Sequence, residues 1–415
     1  MSVATANLAR NRLFLFLLSV VFFMHVASYL IIPIFPIFLQ KVQLFSLSQV
    51  GLVLGVGSFA YQGGSLIGGF LSDRFGRRSV MISGALTQGS AMIGYAFSYS
   101  FPMFLLFSAV NGIGTGLLAP TVKAMIADAV KGNDRTKAFS WRGIVAHSGI
   151  ILAGLLITWM SIANQRLFLF AAGFFFLLAV VARLTLPYDR CIGEKCRPTP
   201  LREYLRILRH RSFLLFSGIT LFIWALYAQF ALVMPLRAEF VLGSSTSVGL
   251  IWTINSASVV LLQGVVSRFV LERINPYLSL VAGTLMLGLG LYGLGQAEHF
   301  WTLSFSAVCF ILGEMLFLPV LDSLVGYFAT EEWMGAYFGI TNFVSGIGTA
   351  LGTSLGGNLV QRLGGVGDPS PWIGYGIVAL FFAAILGLFA NYAMARHNTG
   401  VRPNLYVSRR KEKAK

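Results

Sequence analysis

Long apolar segments separated by short charged ones make up most of the chain, and this pattern constrains the fold more than any other feature. About 20 mostly apolar residues suffice for a helix to cross a bilayer. We find twelve such segments, at residues 13–39, 48–71, 79–97, 103–127, 138–161, 167–186, 213–236, 247–270, 276–294, 301–328, 335–359 and 372–394. Because backbone groups inside a bilayer must be hydrogen-bonded within the segment, we expect an all-α membrane protein with twelve transmembrane helices.

The composition excludes several other classes of protein. The chain is 56% hydrophobic and 11% charged, whereas soluble domains carry about 25% charged residues. A net charge of +16 can indicate nucleic-acid binding, but here the basic residues lie between apolar segments, so no nucleic-acid partner is expected. Cys191, Cys196 and Cys309 do not form a disulfide framework. We find no nucleophile–base set and no metal-ligand cluster, so we predict no enzyme, no catalytic residue, no metal and no cofactor.

Lysine and arginine predict the orientation, because they concentrate in cytoplasmic loops. With the N-terminus in the cytoplasm, all but four of the 31 fall on that side, the exceptions being Lys41, Arg166, Arg237 and Arg362. An even number of spans then places both termini on the cytoplasmic side of the membrane, which we expect to be a bacterial-type inner membrane.

The chain is predicted to divide into two equivalent halves. Residues 187–212 form the longest loop, with an amphipathic helix at 201–211, and separate residues 1–186 from residues 213–394 and a basic tail at 395–415. Several residues recur at a separation of 199: Pro36 and Pro235, Pro120 and Pro319, Gly114 and Gly313. Such a repeat is typical of two pseudo-symmetric six-helix halves related by an axis along the membrane normal.

A charged decapeptide, GFLSDRFGRR (Gly69–Arg78), lies between the second and third segments; we call it the signature loop. We expect Gly69 to allow two backbones to approach closely, and Gly76 to permit a sharp turn. The charged residues can anchor the turn to lipid headgroups or latch it to a neighbouring helix end. They are Asp73, Arg74, Arg77 and Arg78.

Ionisable residues inside the segments are functional candidates, since each costs about 2.5–3.5 kcal/mol at a helix centre. They are His25, His147, Glu314 and Asp322. Burial disfavours a charged carboxyl, so we predict that Glu314 exchanges protons near neutral pH or pairs with a cationic substrate. The alternative is a protonated carboxyl bonded to another helix.

The remaining candidates have competing interpretations. Asp322 and its repeat counterpart Lys123 can close the cytoplasmic mouth as a pair, or can be two unrelated snorkelling charges. His25 and His147 can relay protons or serve as neutral hydrogen-bonding groups. A further set of polar and aromatic side chains is predicted to line a cavity, with helix packing as the alternative for each: Tyr29, Asn111, Trp224, Tyr227, Trp252, Asn255 and Asn342.

The signature loop fills every position of G-x-L-x-D-R-x-G-R-R, and it resembles the loop between helices 2 and 3 of the major facilitator superfamily. The resemblance implies that Asp73 caps the start of helix 11 and that Arg77 pairs with Asp128 at the end of helix 4. It also implies that this latch closes the cytoplasmic side in the outward-facing state.

The tenth segment, LGEMLFLPVLDSL, resembles the drug:proton antiporter branch of that superfamily, in particular the lactococcal multidrug antiporter group, whose glutamate in LGE is functional. Glu314 takes that position. There are departures, because Ser108 stands where many drug antiporters carry an arginine, and Ala146 stands where related members carry an aspartate. Proton coupling is therefore expected to rest on Glu314, helped by His147.

These observations predict a monomeric, proton-coupled exporter of amphipathic organic compounds, with protons and membrane lipids as its other partners. A dedicated transporter of one metabolite, such as a siderophore, sugar or lipid, is the alternative. A membrane enzyme or a sensor that does not transport is disfavoured, since no catalytic set or appended domain is evident.

Overall fold

The computed structural model describes residues 11–130, 134–160, 165–186, 207, 209–244, 246–271, 273–328 and 334–397, and these residues are almost entirely helical. Twelve of their helices have 18 residues or more: α1 (Arg12–Tyr29), α2 (Leu47–Phe75), α3 (Arg77–Ala96), α4 (Phe101–Ala129), α5 (Asp134–Met160), α6 (Gln165–Thr185), α7 (Arg211–Leu242), α8 (Thr246–Val266), α9 (Pro276–Gln296), α10 (Phe300–Phe328), α11 (Met334–Arg362) and α12 (Ser370–His397). A short helix (Phe35–Ile37) and a π-helical turn (Phe38–Val42) follow α1, and a second π-helical turn (Ser267–Leu271) follows α8.

Ten of these helices are long and apolar enough to cross a membrane, which confirms the prediction of a multi-pass helical membrane protein. The other two, α3 and α11, coincide with the predicted segments at 79–97 and 335–359. Most of the predicted amphipathic helix at 201–211 and of the basic tail lies outside the described residues.

Local sequence signals explain where several helices begin and end. Ser46 and Gln49 form a reciprocal capping box at the start of α2. Asn275 accepts a hydrogen bond from the backbone of Tyr277, with a proline at the first position of α9. Gly76 separates α2 from α3 with φ of 83°, a conformation that disfavours other residues. The sharp turn predicted at Gly76 is confirmed.

The helix contacts within α1–α6 recur within α7–α12. Helix α1 packs on α5 and α6, α2 on α4, and α3 on α4 and α6; likewise α7 packs on α11 and α12, α8 on α10, and α9 on α10 and α12. Gly114 of α4 approaches the backbone of Gly84 in α3, and Gly313 of α10 approaches that of Gly283 in α9. Small residues allow such approaches between membrane helices.

The two groups of helices meet mainly through α2 with α11 and through α5 with α8. Gly51 lies against Gly357, Ser48 donates to Gln361, and Thr158 of α5 donates to the carbonyl of Thr246. These contacts lie at the end of the bundle opposite the signature loop. We call this the far end, and the end that carries Gly69–Arg78 the signature end. Among the described residues, the group α1–α6 is thus joined to the group α7–α12 at the far end.

The structure gives a role to Arg237, one of the four basic residues that are not predicted on the cytoplasmic side. This buried side chain donates hydrogen bonds to four backbone carbonyls at the far end, at distances from 2.7 to 3.2 Å. Three of the carbonyls, those of Leu294, Gly295 and Ala297, belong to the end of α9, and the fourth is that of Val366. Since the last carbonyls of a helix lack partners within it, Arg237 caps α9.

Candidate functional site

Glu314 lies inside the bundle on α10, half-buried among helices of both groups. Its carboxylate accepts a hydrogen bond of 2.9 Å from the hydroxyl of Tyr227 on α7. Tyr29 of α1 lies close enough to Glu314 to interact with it electrostatically. The carboxyl of Glu314 therefore lies between the two groups of helices. Among the described residues, the hydroxyl of Tyr227 is its one hydrogen-bond donor.

Aromatic rings form the walls around this carboxyl. The ring of Tyr29 lies 5.5 Å from that of Trp252, and Trp224 lies 5.3 Å from Tyr227. Phe230 and Phe310, which were not predicted, stack at 4.2 Å. The structure thus brings the four predicted aromatic residues around the site of Glu314. Aromatic walls bind large apolar compounds with little demand on their shape.

The two predicted histidines lie on the side of the site formed by α1 and α5. Nδ1 of His25 donates to the carbonyl of Val21 at 2.7 Å, and this bond leaves Nε2 as the acceptor of a neutral ring. The ring of His25 stacks on that of Tyr29 at 6.2 Å. His147 lies within electrostatic range of His25, and its buried Nδ1 has no hydrogen-bond partner among the described residues.

Arg142 is a residue of this site that sequence reasoning missed. The count of lysines and arginines placed it among the cytoplasmic charges, although it lies within the predicted segment 138–161. In the structure it is half-buried on α5 and interacts electrostatically with His25, Lys123 and Tyr61. Its position inside an apolar segment was the signal that could have identified it.

Ser108, which replaces the arginine common in drug antiporters, does not take that arginine's role. It is buried, and its hydroxyl donates to the carbonyl of Val53 on α2 at 2.6 Å. The arginine that lies near this site is instead Arg142 of α5.

Lys123 of α4 and Asp322 of α10 lie nearer the signature end than Glu314. Both side chains are exposed, and they interact with each other electrostatically. They do not form an ion pair within 4 Å, since the only ion pair between described residues is that of Arg77 and Asp128. We call the region between α4 and α10 that runs from Lys123 and Asp322 to Glu314 the central cleft, because both charged side chains at its signature end are solvent-exposed.

The predicted asparagines are placed differently from one another. Asn255 of α8 is buried, and neither atom of its amide has a hydrogen-bond partner among the described residues. Asn111 of α4 is half-buried, and its Oδ1 also lacks a partner there. Asn342 is exposed, one helical turn before Gly346, which packs on Gln62 of α2. It therefore shares the face of α11 that is turned toward α2.

The signature loop makes the contact that the resemblance implied for Arg77. Arg77 forms an ion pair with Asp128 at the end of α4, and it also donates to the carbonyl of Ala124 at 3.2 Å. Arg78 donates to the carbonyl of Arg183 at the end of α6. The turn between α2 and α3 is therefore tied to α4 and α6.

Of the two other charged residues of the signature loop, Arg74 forms no ion pair with a described residue. Arg74 is exposed and lies over the ring of Phe75, 5.6 Å from its centre. The side chain of Asp73 lies outside the described structure, so the capping of helix 11 stays a prediction.

The expectation for Gly69 is wrong for this conformation. A Cβ at Gly69 would meet no atom within 4 Å, whereas a Cβ at Gly64 would lie 2.5 Å from the carbonyl oxygen of Ile113 on α4. Residues 64 and 69 are five apart and thus face different directions on a helix with 3.6 residues per turn. The close approach of α2 to α4 therefore occurs at Gly64.

Comparison with known proteins agrees with this architecture. A family model for the Major Facilitator Superfamily matches residues 17–353. Multidrug resistance protein MdtH of Klebsiella pneumoniae subsp. pneumoniae is 26% identical over 358 residues, which cover 85% of this chain and 87% of that protein. The protein of the same name from Escherichia coli O157:H7 is 27% identical over 346 residues, covering 82% and 84%.

Solved structures share the fold at lower identity. The nucleoside transporter NupG superposes with a TM-score of 0.82 at 14% identity, over 91% of this chain and 100% of that one. A peptide transporter POT in complex with sulfate superposes with a TM-score of 0.74 at 18% identity, over 92% and 94%. Both solved neighbours are transporters.

Proposed function

This chain belongs to the Major Facilitator Superfamily, and from that premise we propose that it is a proton-coupled antiporter that exports amphipathic organic compounds. The names of its relatives, which are multidrug resistance proteins, support a broad range of organic substrates. We place the protein in a bacterial-type inner membrane as a monomer, with both termini in the cytoplasm. In that orientation the signature end faces the cytoplasm.

The proposal includes twelve spanning helices in two pseudo-symmetric halves. The recurrence of the α1–α6 contacts among α7–α12 supports it, as does the matching approach of Gly114 to α3 and of Gly313 to α9. In transporters built from such repeats, the substrate site lies between the halves near the middle of the bilayer. The hydrogen bond from Tyr227 of α7 to Glu314 of α10, and the electrostatic contact with Tyr29 of α1, support that location for Glu314.

The observation that carries the proposal is the environment of Glu314. Its carboxylate lies among aromatic rings, accepts one hydrogen bond from Tyr227, and lies deeper in the bundle than the exposed charges of Lys123 and Asp322. A carboxyl in such a site can hold either a proton or a cationic group, and the two compete. This competition is what couples export of a substrate to entry of a proton.

The proposed cycle follows from that competition. Substrate enters from the cytoplasm or inner leaflet and contacts the aromatic walls and the ionised Glu314. The two halves then rock, so that the signature end closes and the far end opens. Protonation of Glu314 from outside weakens binding and releases the substrate. Return to the open state of the signature end delivers the proton to the cytoplasm.

The test is flux of tetramethylrhodamine methyl ester, a fluorescent lipophilic cation, into proteoliposomes with an imposed pH gradient. Glu314→Gln is expected to abolish the gradient-driven part of the flux, because an amide cannot exchange the proton. Glu298→Gln, at an exposed position after α9, is the matched control and should transport like the wild type. Tyr227→Phe keeps the carboxyl and should retain gradient-driven flux with an altered pH dependence.

Equal gradient-driven flux in wild type and Glu314→Gln would remove Glu314 from proton coupling. If both proteins are folded and neither shows flux, the protein does not export this class of compound, and a transporter of one metabolite is favoured.

A further inference from the structure

The two walls of the central cleft carry opposite charge. The wall from α4 and α5 bears two cations, Lys123 and Arg142, with the imidazoles of His25 and His147 beside them. The wall from α10 bears the two carboxylates, Glu314 and Asp322. The charges are close enough to act on each other, because Lys123 interacts with both Arg142 and Asp322. A site for a purely cationic compound gains nothing from an arginine in its wall.

Arg142 is the most unusual of these groups. Its Nε is buried without a hydrogen-bond partner among the described residues, and no described carboxylate lies within 4 Å of it. Arg237, which is buried at the far end, instead donates to four backbone carbonyls. Leaving a buried guanidinium nitrogen without a partner is costly, so Arg142 is expected to meet an anion during its function.

We propose that Arg142 holds an acidic group of the transported compound, so that the preferred substrate is dipolar, with an acidic group at Arg142 and a basic group at Glu314. This inference rests on the proposed function, since it assigns the substrate class of the same cleft. A guanidinium suits the role because its planar fork matches a carboxylate. Lys123, which interacts with Arg142, adds positive charge at that end of the cleft.

The helix geometry gives the separation of the two groups. Glu314 and Asp322 are eight residues apart on α10, which corresponds to about 12 Å along the helix axis. Lys123 and Arg142 lie near the level of Asp322, because both Asp322 and Arg142 act on Lys123. This axial separation sets the distance expected between the acidic and basic groups of the substrate, on the order of 10 Å.

The test compares two dyes that differ by one carboxyl. Tetramethylrhodamine carries a free carboxylate beside its cationic ring system, and its methyl ester carries only the cation. Equilibrium binding of each dye to the purified full-length protein is measured by fluorescence anisotropy. Wild type is expected to bind the zwitterion more tightly than the ester. Arg142→Gln is expected to weaken binding of the zwitterion by about 10- to 100-fold, the range for losing a charged hydrogen-bonded contact, and to leave the ester within about twofold.

Two variants make the result specific. Arg142→Lys keeps the charge but loses the planar fork, so it should bind the zwitterion with intermediate affinity. Arg362→Gln removes an exposed arginine at the end of α11, at the far end, and should bind both dyes like the wild type. Unchanged binding of the ester also reports that Arg142→Gln has folded.

An equal loss for both dyes in Arg142→Gln, or no binding of the zwitterion by wild type, would overturn the proposal. Failure of the proposed function gives a different result. In that case Arg142→Gln still binds the zwitterion more weakly than the wild type does and binds the ester equally well. Neither dye, however, shows flux that depends on the pH gradient and on Glu314.

Discussion

Gly69 offers the sharpest test of how the bundle closes at the signature end. Gly51, Gly55 and Gln62 form the stripe of α2 that packs on α11, and Gly69 lies seven residues beyond Gln62 on the same face. On α11, Gly339 lies seven residues before Gly346, the residue that contacts Gln62. Neither Gly69 nor Gly339 has an atom within 4 Å of where its Cβ would be. The two stripes therefore continue past the point at which the helices diverge.

Closure of the signature end should bring these two stripes together. At the far end, a Cβ at Gly51 would lie 3.0 Å from Cα of Gly357, so an equal approach at Gly69 leaves no room for a side chain. Gly69→Leu should then cost the closed state about 1–3 kcal/mol. That is about a 5- to 150-fold decrease in its population. The open state has room for the leucine and gains about 0.5–1 kcal/mol from removing a helical glycine.

The expected result for Gly69→Leu is a melting temperature equal to or above that of the wild type, retained dye binding and dye flux lower by at least about fivefold. Two glycines of the same helix serve as controls. Gly64→Ala should lower the melting temperature, since its Cβ would lie 2.5 Å from the carbonyl oxygen of Ile113. Gly63→Leu, also in open space but off the stripe, should change neither stability nor flux. Wild-type flux in Gly69→Leu would refute closure along this stripe, and a drop in its melting temperature would refute the open space at Gly69.

Two further predictions concern the ends of the bundle. Arg237→Met should destabilise the protein by about 3–5 kcal/mol, because it leaves the carbonyls at the end of α9 unpaired. The melting temperature should fall in Arg237→Met and fall less in Arg237→Lys. An unchanged melting temperature in Arg237→Met would contradict this role. The ion pair of Arg77 and Asp128 has side chains that are 34% and 61% exposed, so Arg77→Gln should cost at most about 1 kcal/mol of stability. Its effect should instead fall on dye flux, and exchanging the two residues should recover flux if the pair acts as a latch.

The sequence by itself determined the class of fold and the location of the helices. Apolar length is a local property, and a bilayer leaves a segment of that length few alternatives to a helix. The turn at Gly76 was likewise predictable, because a positive φ depends on that residue alone. Glu314 was identifiable because a carboxyl inside an apolar segment is rare whatever surrounds it.

Only the tertiary structure decided which side chains meet. Arg142 lies within an apolar segment and Arg237 directly follows one, yet Arg142 lies at the central cleft and Arg237 caps α9. The bond from Tyr227 to Glu314 and the open space at Gly69 depend on the direction that each helix presents to its neighbours. That direction is set by packing between helices distant in the chain, since amphipathic patterning is weak in segments surrounded by lipid and by other apolar helices. The sequence thus shows which residues are unusual, and the packing shows what each one contacts.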